Sequence, residues 1–271
     1  MPVLESLFLS LFSNAGDGRF VGLANYRALF ADPGFINLKA FVRGPPFGAL
    51  VNNIIWIAIH LPLSMILGLV CALLMIGLRR MTALRSMIFI GMIIPGVIVG
   101  IVTQFLYDKS SGMVSNFFGL IGIQKLHISW FAHSETALLA LILTCVWTWT
   151  GYCMIVFLAG LTAIPPSYVE AGLIEGANGW QILRFVKLPL LRPSMRTIVV
   201  MSIIGELTSF DIVYSSTYGG PGGASNVMGF QMYLESFRYA HFGTGSAIAT
   251  IITLIAAIPI AINVRNATRR S

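Results

Sequence analysis

Charge is what this chain has least of. Only 10% of its 271 residues are Asp, Glu, Lys or Arg, where a soluble domain carries about a quarter. That shortage excludes an ordinary soluble domain, a disordered chain and a nucleic-acid binder that works through a charged surface. Catalytic punctuation is missing as well. The chain has no G-x-x-x-x-G-K-S/T loop to cradle a nucleotide phosphate, no H-E-x-x-H and no G-x-S-x-G. Cysteine is scarce: Cys71, Cys145 and Cys153 lie in apolar runs, at no metal-ligand spacing, and read as small buried hydrophobes. His60, His127, His133 and His241 are scattered and read as helix-end or loop residues. No tandem repeat with a period of about 20–50 residues is visible.

What fills the chain is apolar. Hydrophobic residues make up 56% and the mean hydropathy is +0.84, the composition of a protein dissolved in lipid. Residues 44–78, 86–107, 136–169 and 239–264 carry no Asp, Glu, Lys or Arg, and each stretch can hold the roughly 20 residues of a membrane-crossing helix. Helices are predicted near 50–77, 86–107, 136–160, 196–216 and 244–264. The fourth of these contains Glu206 and Asp211. Pro62, Pro95 and Pro259 fall inside the runs and read as kinks of the kind membrane helices tolerate. Residues 1–13, apolar apart from Glu5, make half a span. They read either as an interfacial stub or as the outer half of a truncated first helix. The expected fold is an all-α membrane bundle of five to six helices, one transmembrane domain over 1–271.

Basic residues orient the bundle. Arg79, Arg80, Arg85, Arg184, Lys187, Arg192, Arg196, Arg265, Arg269 and Arg270 fall on one side in short segments. Arg19, Arg27, Lys39, Arg43, Lys109, Lys125 and Arg238 are spread over longer loops on the other. The positive-inside rule makes the first side, with the C-terminus, cytoplasmic. The net charge of +7 then faces anionic lipid headgroups.

The most informative segment is the cytoplasmic loop IPPSYVEAGLIEGANGWQILRFVKLPLLRP, residues 164–193. Pro165 and Pro166 stop the preceding helix. Ser167 and Glu170 have capping-box spacing and predict a short helix to about Ile174. Gly176 and Gly179 break it, a second helix covers 180–186, and Leu188-Pro189 and Pro193 turn the chain back to the bilayer. Two short helices lying on the membrane face can dock into a groove of a partner, with Gly176 permitting the turn and Glu170 meeting a basic residue.

This loop resembles the EAA loop of binding-protein-dependent ABC importer permeases, whose pattern is E-A-A, three residues, G, nine residues, I-x-L-P. Here stand Glu170-Ala171-Gly172, Gly176 and Val186-Lys187-Leu188-Pro189. Gly172 replaces the second alanine, Val186 the isoleucine, and Glu175 a common aspartate. FVGLANYRALFADPGF (20–35) and SFDIVYSSTYGGPGGAS (209–225) are similar to segments of the MalF-like sugar-permease type. The resemblance implies that residues 165–190 couple the membrane domain to cytoplasmic ATP-binding subunits. It also implies a second, homologous permease and an extracellular or periplasmic solute-binding protein. The chain would then lie in a prokaryotic cell membrane, with no cofactor of its own and with ATP and Mg on the partner subunits.

In that reading the chain performs no catalysis and forms half of an alternating-access pathway. Charged groups inside spans usually face the bundle interior or a water-filled cavity, which nominates Glu206 and Asp211. Five residues apart, they do not share one helix face. Trp147, Trp149 and Tyr152 offer aromatic faces to the apolar side of a sugar ring, and Gln104 and Tyr214 offer neutral hydrogen bonds; packing is the alternative role for each. Gly219, Gly220, Pro221 and Gly222 form an extracellular loop whose flexibility suits contact with the binding protein or a gate. A carbohydrate is the expected solute, with a polyol or sugar phosphate as alternatives. A channel lacks its ring of charges, an intramembrane enzyme has only Glu206 and Asp211 to draw on, and a structural or sensory subunit is opposed by the coupling loop alone.

Overall fold

In the computed structural model, the described residues are 2–14, 18–76 and 82–268. Arg79, Arg80, Arg269 and Arg270, used above for orientation, lie outside them. Three helices are long and apolar enough to cross a bilayer unbroken: α4 (Ala49–Met75), α8 (Ser134–Thr162) and α14 (Phe242–Thr268). At 1.5 Å per residue, the 27 residues of α4 span about 40 Å. Pro62 and Pro259 sit inside continuous helices. Smaller elements flank these three. They are α1 (Pro2–Leu9), α2 (Ala24–Ala31), α3 (Ala40–Arg43), α7 (Met113–Leu120), α9 (Pro166–Ile174) and α13 (Met228–Tyr233), the last extended by a π-helical turn to Arg238. An isolated bridge between Phe12 and Phe20 is the one piece of extended pairing among the described residues.

Two predicted spans are not single helices. The expected helix over 86–107 is α5 (Thr82–Ile93) and α6 (Gly96–Leu106), which meet at 108°. Pro95 cannot donate to a helical ladder and forces the residue before it out of the helical region. Here that effect is a full break and not the tolerated kink expected. The expected helix over 196–216 ends as α11 (Arg192–Leu207). Residues 208–210 are irregular, and α12 (Asp211–Ser216) starts afresh. With no proline in that stretch, hydropathy alone could not show this break.

Helix α8 is the centre of the bundle. Half of its most apolar window is buried, against 22% for α4 and for α14. It packs along α4, and α5 lies against it as well. Small residues set these contacts: a Cβ on Gly68 of α4 would overlap the Cβ of Cys153, and one on Gly151 of α8 would lie 2.7 Å from the Ile88 carbonyl of α5. Lipid tails give no hydrophobic drive for helix association, so close backbone approach through small residues supplies the contact. Apolar side chains fill the remainder, with Trp56, Leu141, Ile142, Val213 and Phe230 in one buried cluster beneath the breaks.

A helix broken inside a membrane leaves backbone groups that water cannot satisfy. Here side-chain amides take their place. Asn53, fully buried in α4, donates from Nδ2 to the Glu206 carbonyl at 2.7 Å and accepts at Oδ1 from the Met228 N–H, also at 2.7 Å. One side chain therefore pins the end of α11 to the start of α13. Its neighbour Asn52 donates to the carbonyls of Asn226 (2.8 Å) and Ala224 (3.2 Å). Replacing Asn53 by Ala orphans the buried Met228 N–H, at about 1–3 kcal/mol, and leaves the Glu206 carbonyl with the longer 3.4 Å bond from the Ser209 N–H. Asn53→Ala is therefore expected to lower the thermal unfolding temperature of the purified protein sharply, whereas an unchanged melting curve would remove Asn53 from this role.

Candidate solute pathway and coupling element

The two helix breaks lie side by side. A Cβ on Gly96, the first residue of α6, would sit 2.9 Å from the Asp211 Cβ at the start of α12. Further along, the α12 backbone approaches Gly100, where a Cβ would meet the Ile212 carbonyl at 2.9 Å. Gln104 then donates from Nε2 to the carbonyls of Ser215 (3.2 Å) and Ser216 at the end of α12. Gln104 thus satisfies orphaned helix carbonyls and does not line the cavity described next.

Against these breaks lie two adjoining clefts of about 370 and 160 Å³, which share Cys145, Thr148, Trp149, Gly205 and Ser209. Cys145, Thr148, Trp149 and Tyr152 follow the i, i+3, i+4, i+7 spacing of one face of α8. Trp149 presents its ring to both clefts and donates from Nε1 to the Ser202 hydroxyl at 2.7 Å. Tyr152 supports that ring from 5.0 Å but lines neither cleft. Trp147 falls on another face of α8, half exposed and close to Gly91 of α5, so the three aromatics do not act together.

Glu206 and Asp211 reach the same cavity by different routes. The break places them on separate elements, so their spacing along one helix, which argued against a common face, no longer applies. Asp211 lines the larger cleft and Glu206 the smaller. No Lys or Arg lines either. Glu206 is paired: its Oε1 lies 2.5 Å from Nδ1 of His60, with both side chains 4% exposed. His60 sits in the middle of α4, which corrects its reading as a helix-end or loop residue. A signal was present, because Asn52, Asn53, His60 and Ser64 interrupt an otherwise apolar span, and polar groups at such depth are seldom incidental.

Tyr214 stands outside both clefts in an aromatic group, 5.1 Å from Phe210 and 5.5 Å from both Tyr218 and Tyr233. The glycine-rich segment beyond it is not the loose loop expected. Gly219, Gly222 and Gly223 do take positive φ values, 77°, 58° and 90°. The turn is nevertheless tied down. Ser225 donates from its hydroxyl to the Gly220 carbonyl at 2.6 Å, Asn52 holds the following carbonyls, and a Cβ on Gly219 would press on the Phe230 ring at 3.0 Å. Gly220, Pro221 and Gly222 form a shaped turn on that support.

The loop over 165–190 folds as two helices joined at Gly176, whose φ of 82° suits glycine. Its caps differ from those expected. Helix α9 starts at Pro166, so Ser167 lies inside it and makes no cap hydrogen bond. The capping box forms instead at the second helix, α10 (Gly179–Leu190). There Asn178 Oδ1 accepts from the Gln181 N–H at 2.9 Å, and Gln181 Oε1 accepts from the Asn178 N–H at 2.7 Å. Nor does Leu188-Pro189 turn the chain. Pro189 cannot donate to the carbonyl four residues back, and the helix widens to a π turn over Ile182–Lys187 before running on to Leu190. The bend, 63°, comes at Leu191. Glu170 and Ala171 are exposed, and a Cβ on Gly172 would meet Ile182 and Val186 at 3.7 and 3.9 Å, so the family's alanine would fit there. Tyr168, Ile174, Trp180 and Phe185 are all more than half exposed, an apolar surface on a segment that also carries Glu170, Glu175, Arg184 and Lys187. Among the described residues no three His, Cys, Asp or Glu side chains gather as a metal site would require.

Known proteins match this architecture. The chain is 45% identical over 261 residues to the probable ABC transporter permease protein PH1038 of Pyrococcus horikoshii, covering 95% of this chain and 89% of that one. It is 32% identical over 278 residues to the alpha-glucoside transport system permease protein AglF of Rhizobium meliloti, covering 100% of this chain and 78% of that one. In three dimensions it superposes with a TM-score of 0.77 on a chain of a bacterial ABC transporter involved in the import of the acidic polysaccharide alginate. That match is 19% identical and covers 98% of this chain and 89% of the other. Residues 64–270 match the model of the binding-protein-dependent transport system inner membrane component, and the chain belongs to that family of ABC importer permeases.

Proposed function

We propose that this chain lines half of an alternating-access pathway for a carbohydrate, with a second permease lining the other half. A solute-binding protein delivers the sugar at the outer face, near the turn over 219–223. ATP-binding subunits, which hold the ATP and Mg, dock on residues 165–190 at the cytoplasmic face, where the C-terminus also lies. The observation that carries this reading is the pair of adjoining clefts at the two helix breaks. They combine the Trp149 ring, the hydroxyls of Thr148 and Ser209 and two carboxylates, with no Lys or Arg. A sugar ring has an apolar face and a belt of hydroxyls, and those surfaces suit both. The name of the Rhizobium meliloti relative points to the same class of solute.

Transmission from ATP to the pathway rests on the exposed surface of α9 and α10. An aspartate at Gly176 would meet a φ of 82°, a strain of about 1–2 kcal/mol for a residue with a Cβ, and would put a charge at the joint between the two helices. Gly176→Asp and Glu170→Ala are expected to abolish sugar uptake, either by separating it from ATP hydrolysis or by releasing the ATP-binding subunits on purification. Wild-type uptake in both would remove this segment from the coupling role. In proteoliposomes containing the complete assembly and its binding protein, neutral oligosaccharides are expected to stimulate ATP hydrolysis. Stimulation only by amino acids, peptides or metal ions would overturn the carbohydrate assignment, and full transport by a homodimer of this chain would overturn the two-permease arrangement.

A further inference from the structure

His60 and Glu206 form the one buried pair of ionisable side chains bonded to each other among the described residues. Two of its buried polar atoms are unmatched. His60 Nε2 and Glu206 Oε2 have no partner in the protein, although a buried polar atom without one is costly. Both residues line the cleft of about 160 Å³, together with Trp56, Trp149 and Ser202.

The protonation of the pair decides what it offers. With no Lys or Arg along either cleft, and in a low-dielectric setting, the pair is most stable with no net charge. Two arrangements satisfy that and fit the 2.5 Å contact, whereas a third, with the acid's proton on Oε2, would leave only a neutral Nδ1–H donor in so short a bond. Either an imidazolium donates from Nδ1 to a carboxylate, or a carboxylic acid donates from Oε1 to the Nδ1 of a neutral imidazole. The outward face is the same in both: Nε2 carries a hydrogen and donates, and Oε2 accepts.

We infer that His60 is a specificity-determining residue of the pathway, and that with Glu206 it presents one donor and one acceptor to adjacent hydroxyls of a neutral carbohydrate. This deepens the function proposed above and rests on it. One hydroxyl accepts from Nε2–H, and its neighbour donates to Oε2. Trp149, whose ring centroid is 6.4 Å from that of His60, flanks the same site with an apolar face. A phosphate or carboxylate on the sugar would meet Oε2 and Asp211 with no Lys or Arg along the clefts to compensate, so this half of the pathway disfavours anionic sugars.

The test is equilibrium dialysis of radiolabelled trehalose, maltose, sucrose and lactose against the purified transporter complex without its binding protein, so that the filter is the pathway alone. His60→Asn keeps a donor near the Nδ1 position for Glu206 and removes Nε2. It is expected to weaken binding of the preferred disaccharide at least about tenfold, the size of effect that follows from one unmet buried hydrogen bond. Glu206→Leu should weaken it at least as much. Glu206→Gln, which retains a bond to Nδ1 and an outward acceptor, should stay within about threefold of wild type and bind trehalose 6-phosphate better than wild type does. Unchanged binding in His60→Asn would overturn the inference, because a residue that merely holds Glu206 would tolerate asparagine. A loss in Glu206→Gln equal to that in Glu206→Leu would also overturn it, by showing that charge and not hydrogen-bond pattern matters. If the wild-type complex binds none of the four sugars, the carbohydrate proposal itself falls, and this inference with it.

Discussion

Asn53 holds together a structure that would otherwise come apart at its most exposed weakness, the interruption of a helix inside a membrane. An unbroken helix satisfies its own backbone. A broken one leaves N–H and C=O groups that lipid cannot solvate, at a cost of several kcal/mol each. Two of the spans here are broken, and around the second of them amide side chains from other elements take up backbone groups: Asn53 between α11 and α13, Asn52 beneath the turn at 219–226, and Gln104 at the end of α12. An amide carries both a donor and an acceptor, so it can replace either kind of missing backbone partner. Where those amides sit decides where the chain can be irregular.

The irregular places are also where the polar groups of the cavity gather. The breaks at 94–95 and 208–210 lie next to each other because α6 and α12 pack through Gly96 and Gly100. They open a volume beside α8 that a set of complete helices would fill. Trp149, the serine and threonine hydroxyls, His60 and the two carboxylates border it without a Lys or Arg. Glu206 is affordable at that depth because His60 compensates it, and His60 is held in turn by the rigid middle of α4. The exposed surface of α9 and α10, proposed to meet the ATP-binding subunits, joins directly to α8 and α11, so docking there would reach the helices that line the cavity.

Much of this was legible in the residues. Charge-free runs located α4, α8 and α14 to within a few residues, because length and apolarity suffice for an unbroken span. The two short helices of residues 165–190 and the joint at Gly176 were legible, although their caps were not. Proline at the first helical position displaced Ser167 from the N-cap, and Asn178, preceding an apolar stretch of its own, took the capping box. The breaks were harder. Pro62, Pro95 and Pro259 look alike in sequence, and only at Pro95 do α12 and α8 accept the turned chain. The His60–Glu206 pair was invisible because its partners are 146 positions apart. The glycine turn read as flexible because Asn52, which restrains it, is equally remote in sequence.

The central claim is that the cavity at the two breaks is the route of the solute, open to one side of the membrane at a time. Ser209 borders both clefts and tests this directly as a single cysteine, with Cys71, Cys145 and Cys153 replaced. In the complete transporter, a small membrane-impermeant thiol reagent should label Ser209→Cys from the cytoplasmic side without nucleotide. With a non-hydrolysable ATP analogue and the binding protein present, labelling should come from the outer side, and bound sugar should slow it in both states. Labelling that is equal from both sides, absent in every state, or indifferent to nucleotide would contradict the account.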